Sequence, residues 1–276
     1  MIKNKLHNFF NLRKKKYKAP SKFVFVVGSG RCGTLQFSTL FKNNQKIASY
    51  HERNALLTSF YQYAKFNKLN IDYGIFFDSF TKFLIEKKIY MEASPYLCMN
   101  AIELYKKLNA KIIILFRDPL KTCESLMRKG WYKDIKYLEN NKILGCQDNN
   151  ANTFHHNFDR LIPHGSDFQK WKKLPRICKI KWFWNFIYTD LLKQIKFIKK
   201  INVKLINIEK LDYETYKDTC RWLGCKPNLS QKKFFNIKNE RKNKINRKKI
   251  KISKKDLEYF KKCFNKTEKL LFKNNE

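Results

Sequence analysis

Apolar residues occur along the chain in short continuous runs that alternate with stretches of helical spacing. Four runs of strand length predict buried strands at 22–27, 89–92, 111–116 and 203–208. Stretches whose apolar residues recur at helical spacing predict helices at 34–41, 54–65, 73–87, 101–108, 119–129, 176–199 and 254–272. Buried strands that alternate with helices are typical of α/β proteins. We therefore expect a single α/β domain with a central parallel sheet flanked by helices.

The domain is predicted to occupy residues 22–276, after a basic lead-in at 1–21. The lead-in lacks the apolar segment of a signal peptide, although four apolar residues could give it one short amphipathic face (Ile2, Leu6, Phe9 and Phe10). A solvated lead-in is the main expectation, and weak peripheral membrane contact is the alternative. Residues 130–170 are rich in Asn and Lys, show no clear period, and predict an insertion. No apolar run approaches the about 18–20 residues that span a bilayer.

The chain is strongly basic, with 60 Lys and Arg against 23 Asp and Glu and a net charge of +37. Only ten of these basic residues are arginine, and the excess of Lys, Asn, Ile and Phe is typical of AT-rich coding sequence. The charge is therefore weak evidence of function, although it favours anionic ligands. A basic nucleic-acid-binding protein is one alternative, but the charges are spread along the chain and no recognition motif occurs.

The cysteines and histidines do not form a recognisable metal site. Eight cysteines occur without a CxxC pair, which excludes a zinc ribbon and a secreted disulfide framework. His155, His156 and His164 have no Cys, Asp or Glu at ligand spacing, so we expect no metal. These features indicate a cytoplasmic protein with reduced thiols.

A glycine-rich turn joins the first predicted strand to the first helix, with the sequence Gly28-Ser29-Gly30-Arg31-Cys32-Gly33-Thr34. The unpaired N–H groups and positive dipole of a helix start attract anions there. Arg31 and Thr34 would add donors suited to phosphate or sulfate oxygens. A Walker A loop requires a Lys immediately before Thr34, and that position is Gly33. A Rossmann fingerprint requires an acidic residue about 20 positions further on, at the end of a second strand, and no predicted strand ends there. The turn predicts an anion site, and an ordinary tight turn is the alternative.

A second motif, Arg117-Asp118-Pro119 followed by Ser125, lies where another core strand ends. Arg117 at this end would reach the crevice where open α/β sheets bind ligands. Asp118 is expected to cap the next helix. Ser125 follows Arg117 by about two helical turns and meets the same anion only if the corner folds back.

Together the two motifs resemble those of the PAPS-dependent sulfotransferases, which transfer sulfuryl from 3′-phosphoadenosine 5′-phosphosulfate (PAPS) and release PAP. The resemblance covers residues 22–132 well and 182–209 faintly. It implies that Arg117 and Ser125 hold the 3′-phosphate and that no metal is needed. Arg241 and Lys242, before the last helix, are candidates for a further clamp, with a solvated basic run as the alternative. The 5′-phosphosulfate would be held by Gly30, Arg31, Cys32, Gly33, Thr34 and Leu35.

The segment Tyr50-His51-Glu52 resembles the place where carbohydrate-type and tyrosylprotein sulfotransferases carry a catalytic Glu. Glu52 is therefore the first candidate for the base, His51 is the second, and Arg31 would neutralise charge on the bridging oxygen. Alternatively, His51 or Glu52 only pairs with Arg53 or caps the next helix. Ala93 stands where many relatives have Lys, which leaves open a relative that binds nucleotide without catalysis.

The resemblance implies a hydroxyl acceptor, for which we expect a carbohydrate on a polysaccharide or glycolipid, with a tyrosine or a small metabolite as alternatives. The insertion at 130–170 would lie near the acceptor site. Trp184 is a candidate to line an acceptor cleft and stack on a sugar, whereas Trp182 and Phe186 share a face that we expect to lie in the core. A P-loop-type nucleotide or small-molecule kinase is the competing enzyme class.

Overall fold

Five parallel strands form the central sheet of the protein, whose computed structural model describes residues 22–84, 88–133, 135–140, 143–148, 156–240 and 250–273. The strand order is β2-β3-β1-β4-β7. This arrangement confirms the predicted single α/β domain with a central parallel sheet. The strands are β1 (Phe23–Val27), β2 (Ile47–His51), β3 (Ile89–Ala93), β4 (Lys111–Phe116) and β7 (Val203–Asn207).

Helices connect these strands and cover the sheet. In chain order they are α1 (Thr34–Phe41), α2 (Ala55–Phe66), α3 (Gly74–Thr81), α4 (Ala101–Leu108), α5 (Pro119–Arg128), α6 (His156–Asp159), α7 (Gly165–Lys172), α8 (Arg176–Gln194), α9 (Tyr213–Leu223), α10 (Gln231–Asn239), α11 (Lys254–Lys262) and α12 (Asn265–Lys273). Short 3₁₀ turns lie at Pro95–Asn100, Ile195–Phe197 and Lys200–Asn202.

Both faces of the sheet are buried, which explains why its strands are continuous apolar runs. Phe25 and Val27 of β1 face the larger cluster, which includes α8, whereas Val24 and Val26 face a second cluster with α1 and α9. The long helix α8 places Tyr188 and Trp184, both fully buried, in the larger cluster. The sheet is therefore a rigid support for the loops at its two edges.

Several predicted elements differ from the structure. The helix expected at 73–87 ends at Thr81, and the last helix, expected as one element, is two helices separated at Cys263 and Phe264. Phe264 has φ +54, a left-handed conformation that interrupts helical hydrogen bonding without a Gly or Pro to signal it. Strand β2 and helices α9 and α10 were not predicted.

The stretch 130–170, for which the sequence shows no period, contains an antiparallel hairpin formed by β5 (Ile135–Asn140) and β6 (Ile143–Asp148). Its later part joins the domain core, because Leu161, Ile162 and Phe168 are buried there. The lead-in at 1–21 lies outside the described residues. Within those residues, no helix is long and apolar enough to cross a membrane.

Candidate anion-binding and transfer site

The candidate residues converge at the carboxyl edge of the sheet because its strands are parallel. The glycine turn follows β1, Glu52 follows β2 and Arg117 follows β4. In register, Val27 lies beside Ile114 of β4, and Phe116 lies beside Asn207 of β7. This edge is where open α/β sheets bind their ligands.

The turn after β1 has a backbone that depends on glycine. Gly30 has φ +75 and Gly33 has φ +95, and Arg31 between them is also left-handed, at φ +54. A side chain at Gly28 would put its Cβ 2.5 Å from the carbonyl oxygen of Leu115. Gly28 therefore allows the turn to lie directly against β4.

Hydrogen bonds of the buried Tyr188 hydroxyl fix this turn against the sheet. Its hydroxyl donates to the carbonyl oxygen of Leu115 at 2.7 Å and accepts from the N–H of Ser29 at 3.3 Å. The thiol of Cys98 donates to the carbonyl oxygen of Gly28 at 3.0 Å. The first half of the turn is thus fixed by buried hydrogen bonds, which makes the site preorganised.

Arg31 and Ser125, from the two sequence motifs, are in direct contact. Nε of Arg31 donates to Oγ of Ser125 at 3.0 Å. Burial lowers the pKa of the Arg31 guanidinium, and the nearby positive charge of Arg117 lowers it further, while Glu52 and Cys32 act in the opposite direction. The charges of the two arginines therefore act on each other, and an anion placed beside both of them would relieve their repulsion.

Glu209, which the sequence analysis did not identify, positions Arg117. Its Oε1 lies 3.7 Å from Nε of Arg117 and 2.7 Å from Nζ of Lys121, and its Oε2 accepts from the N–H of Asp118 at 3.2 Å. The sequence does carry a signal for Glu209, which is an acidic residue two positions after the end of β7, the strand that pairs with β4. Asp118 accepts from the N–H of Lys121, so its predicted N-cap role is confirmed.

His51 lies beside the start of α1. Its Nε2 is 3.1 Å from Oγ1 of Thr34 and 3.6 Å from Oε1 of Glu52. Burial lowers the pKa of His51 to about 4, so its imidazole is neutral at neutral pH. Glu52 has φ +49, and such backbone strain is concentrated at functional sites.

Arg53 is held by aromatic rings, with its guanidinium carbon 3.4 Å from the ring centre of Phe83 and 4.3 Å from that of Tyr50. The backbone N–H of Arg53 donates to the buried carboxylate of Glu92 at 3.0 Å, and the hydroxyl of Tyr90 donates to the same carboxylate at 2.8 Å. Burial raises the pKa of Glu92. This network fixes the backbone at Arg53, the residue that follows Glu52 after β2.

The other candidates occupy different positions. The Cys32 side chain is fully buried, and burial raises the pKa of its thiol to about 11, so only its backbone can serve a ligand. Leu35 is half-buried in the first turn of α1. Trp184 is wholly buried in the core beside Tyr188, so the expectation that it lines a cleft is wrong. Arg241 and Lys242 lie outside the described residues.

A buried charged pair near Glu52 was also missed by the sequence analysis. Nη1 of Arg160 contacts Oδ1 of Asp159 at 2.7 Å, and the hydroxyl of Tyr96 donates to Asp159 at 3.4 Å. The negative charges of Asp159 and Glu52 both raise the pKa of Tyr96, after the larger effect of burial. In the described part of the chain, no group of three or more His, Cys, Asp or Glu could hold a metal ion.

No protein-family profile and no curated protein match the chain. Among solved structures, a sulfotransferase domain of the curacin biosynthetic pathway is 14% identical, with a TM-score of 0.46 over 78% of this chain and 76% of that chain. A sulfotransferase domain of the Synechococcus PCC 7002 olefin synthase is 11% identical, with a TM-score of 0.46 over 82% of this chain and 80% of that chain.

A third structure, a sulfotransferase from Mycobacterium avium, is 12% identical, with a TM-score of 0.41 over 85% of this chain and 71% of that chain. At these identities and TM-scores, the likenesses assign neither a family nor an activity to the chain. The function must therefore be inferred from the geometry of the site.

Proposed function

We propose that the protein is a sulfotransferase that transfers the sulfuryl group of PAPS to a hydroxyl acceptor. The observation that carries this proposal is the contact of Arg31 with Ser125 at the carboxyl edge of the sheet, close enough to Arg117 for its charge to lower the pKa of Arg31. The two arginines provide charge and forked donors, and the serine provides a hydroxyl, as recognition of a phosphate dianion requires. No lysine stands before Thr34 to hold the terminal phosphates of ATP, which argues against the kinase alternative.

A donor with phosphate groups at both ends requires two anion sites, and we propose one at each of the two sequence motifs. Arg117 and Ser125 would bind the 3′-phosphate, and Glu209 holds Arg117 in place for this task. The backbone N–H groups from Gly30 to Leu35, at the start of α1, would bind the 5′-phosphosulfate. Arg31 contacts Ser125, and the charge of Glu52 raises its pKa, so Arg31 would lie between the two proposed sites. Arg241 and Lys242 remain proposed as an additional clamp.

The chemistry needs a base for the acceptor proton and stabilisation of charge on the leaving oxygen. The S–O bond to the 5′-phosphate breaks as the acceptor oxygen bonds to sulfur, the acceptor proton passes to the base, and PAP leaves. We assign the base to Glu52, because its carboxylate is 30% exposed and its backbone is strained. His51 is neutral at neutral pH, and its bond to Thr34 positions the start of α1. Arg31 would stabilise the leaving oxygen.

We propose a carbohydrate hydroxyl as the acceptor. Phe60 and Phe158 meet edge to face, with ring centres 5.6 Å apart, and both are partly exposed. They lie on α2, which begins three residues after Glu52, and on α6, which carries Asp159. Exposed aromatic faces of this kind stack on sugar rings. The hairpin of β5 and β6 precedes α6 in the chain and is proposed to border the same region.

The test is to incubate the protein with PAPS and a panel of hydroxyl acceptors, and to measure the release of PAP. The panel contains neutral and acidic oligosaccharides, a tyrosine peptide and small phenols. Acceptor-dependent release of PAP, with sulfate recovered on an oligosaccharide, supports the proposal. Transfer only to the peptide or to phenols would correct the acceptor class. PAP binding without transfer to any acceptor would indicate a nucleotide-binding relative, and ATP-dependent phosphorylation of the panel would overturn the proposal.

A further inference from the structure

The edge of the sheet opposite the candidate site carries a row of lysines. Lys46, Lys88 and Lys22 immediately precede β2, β3 and β1, and Lys111 is the first residue of β4. In the strand order these four lysines follow one another across the amino edge, and Lys200 lies in the loop that leads into β7. The segments that lead into β2, β4 and β7 contain no Asp or Glu, and the segment before β3 contains one acid in its sequence, Glu86.

Lysines are common throughout this chain, so charge alone does not distinguish one face of it. What distinguishes the amino edge is the loop at 195–202, between α8 and β7. Phe197 is 71% exposed and Ile201 is 73% exposed, which makes them the most exposed large apolar side chains in the part of the chain that the structure describes. Clustered exposed apolar side chains mark interaction surfaces in soluble domains.

The same loop also carries its own positive charges. Lys196, Lys199 and Lys200 are exposed, and none of them has a carboxylate partner among the described residues. Lys204, two residues beyond the loop, pairs with Asp218, so the neutralised lysine lies on the strand and the free ones lie on the loop. Two exposed apolar side chains thus share one short loop with three exposed lysines that have no carboxylate partner among the described residues.

The loop is held in this exposed form by contacts on its inner side. Nε1 of Trp222 donates to the carbonyl oxygen of Ile201 at 2.8 Å, and Nζ of Lys111 donates to the carbonyl oxygen of Trp222. The ring of Trp222 is covered by the ammonium groups of Lys111, 4.6 Å from its centre, and Lys204, at 5.7 Å. These contacts of Trp222 fix the backbone of the loop at Ile201, where the side chain is exposed.

From these observations we propose that the amino edge of the sheet, with Phe197 and Ile201 at its tip, docks on an anionic membrane surface. Surface-bound proteins combine inserted apolar side chains with flanking lysines that attract anionic lipid headgroups. Phe197 and Ile201 would enter the boundary between headgroups and acyl chains, and Lys196, Lys199 and Lys200 would contact the headgroups. An acidic protein would match the charge, but a membrane also accommodates two isolated apolar side chains without a shaped pocket.

Docking in this orientation has a consequence for the candidate site. Strands of five residues separate the two edges of the sheet by about 17 Å. The carboxyl edge, with Arg31, Arg117 and Ser125, would then face the aqueous phase. Acceptors that reach the site would be hydroxyl groups held away from the bilayer, on extended chains or in solution.

The experiment is flotation with vesicles of phosphatidylcholine, with and without phosphatidylserine, for the full chain and four double variants. Two variants change the loop, Phe197→Ser with Ile201→Ser and Lys199→Glu with Lys200→Glu. The charge control is Lys170→Glu with Lys173→Glu, beside the start of α8, about 28 Å along that helix from the loop. The apolar control is Ile75→Ser with Leu56→Ser, which are 63% and 50% exposed on other helices. All the changed side chains are exposed, and matching thermal unfolding curves would establish that each variant is folded.

We expect the wild-type chain to bind the anionic vesicles and not the neutral ones. The affinity of each loop variant for the anionic vesicles should fall by at least roughly tenfold, whereas each control should bind them as the wild type does. Equal weakening by the charge control would mean that only net charge matters, and unchanged binding of the Phe197→Ser and Ile201→Ser variant would mean that the loop does not insert. Either result overturns the proposal. The proposal is also overturned if the loop variants lose binding to a competing RNA but still bind the vesicles. These outcomes do not depend on PAPS or on sulfuryl transfer.

Discussion

Arg31 donates a hydrogen bond from Nε to Oγ of Ser125, 3.0 Å away and 94 residues further along the chain. The contact joins the turn after β1 to the second turn of α5, so the two sequence motifs form one surface. Arg117, at the end of β4, adds a second guanidinium whose charge lowers the pKa of Arg31. We propose that these two arginines and this hydroxyl bind an anion.

Gly28→Ala should destabilise the fold more than Gly30→Ala. The new Cβ at position 28 would lie 2.5 Å from the backbone oxygen of Leu115, and relief of this overlap should cost about 2–3 kcal/mol. At position 30 there is room, since the nearest atom is 3.7 Å away, and the left-handed backbone should cost about 1 kcal/mol. Urea denaturation of both variants measures the difference. Equal losses would mean that β4 does not constrain the turn.

Tyr188→Phe should weaken both the fold and the binding of PAP. The variant leaves the carbonyl of Leu115 and the N–H of Ser29 without their shared hydroxyl, at a cost of about 1–2 kcal/mol. Tyr213→Phe is the matched control, because its hydroxyl also donates to a backbone oxygen, that of Leu229 at 2.8 Å, away from the turn. The control should lose stability without losing affinity for PAP. If both variants bind PAP as the wild type does, Tyr188 does not organise the turn.

The stability of the fold should fall as the pH is lowered from about 6.5 to about 4, in part because of His51. Burial depresses the folded-state pKa to about 4, so the unfolded chain takes up a proton in this range that the folded chain does not. The contribution to the free energy of unfolding is full above the unfolded pKa and is lost as the pH falls to the folded pKa, up to about 3 kcal/mol. His51→Gln should show a smaller loss between pH 7 and pH 4.5 in urea denaturation. An identical pH dependence in the variant would show that His51 is not buried as described.

Glu52→Gln should lower kcat by roughly 100-fold or more with a small change in KM, because the amide cannot accept the acceptor proton. His51→Gln should have the smaller effect on kcat. Glu124→Gln removes a carboxylate whose partner is Arg128, 3.2 Å away on the same helix, and should leave kcat unchanged. The measurement is the rate of PAP release over a pH range with the acceptor found in the panel. Loss of activity in His51→Gln, with Glu52→Gln still active, would transfer the role of base to His51.

Much of the fold follows from local sequence, and the exceptions have physical causes. Helix α1 has its predicted bounds because Gly33 ends the turn before it and the apolar spacing is regular. Strand β2 was not predicted because it is an edge strand with only Ile47 fully buried, so its apolar pattern is weak. Trp184 shows the same limit within a helix, since the sequence pattern does not tell which aromatic residues of α8 face the sheet.

For the candidate site, sequence identified the motifs but not their relation. Arg31 and Arg117 each stand at the end of a predicted core strand, so their shared edge followed from parallel topology. The contact with Ser125 depends on the direction that α5 takes after its N-cap at Asp118, and residue spacing in the sequence does not determine that direction. Tyr188 and Glu209 act through tertiary contacts, on a buried helix and after a distant strand, and carry no motif of their own.

The most direct test of the central claim is calorimetric titration of the protein with PAP, with ADP as the comparison ligand that lacks the 3′-phosphate. We expect PAP to bind more tightly than ADP, and Arg117→Ala to weaken PAP by roughly 10–100-fold while leaving ADP nearly unchanged. The control is Arg128→Ala, which removes an arginine of α5 that pairs with Glu124, and it should bind PAP as the wild type does. If PAP binds no better than ADP, or if Arg117→Ala has no effect, Arg31, Arg117 and Ser125 do not form a 3′-phosphate site and the sulfotransferase proposal fails.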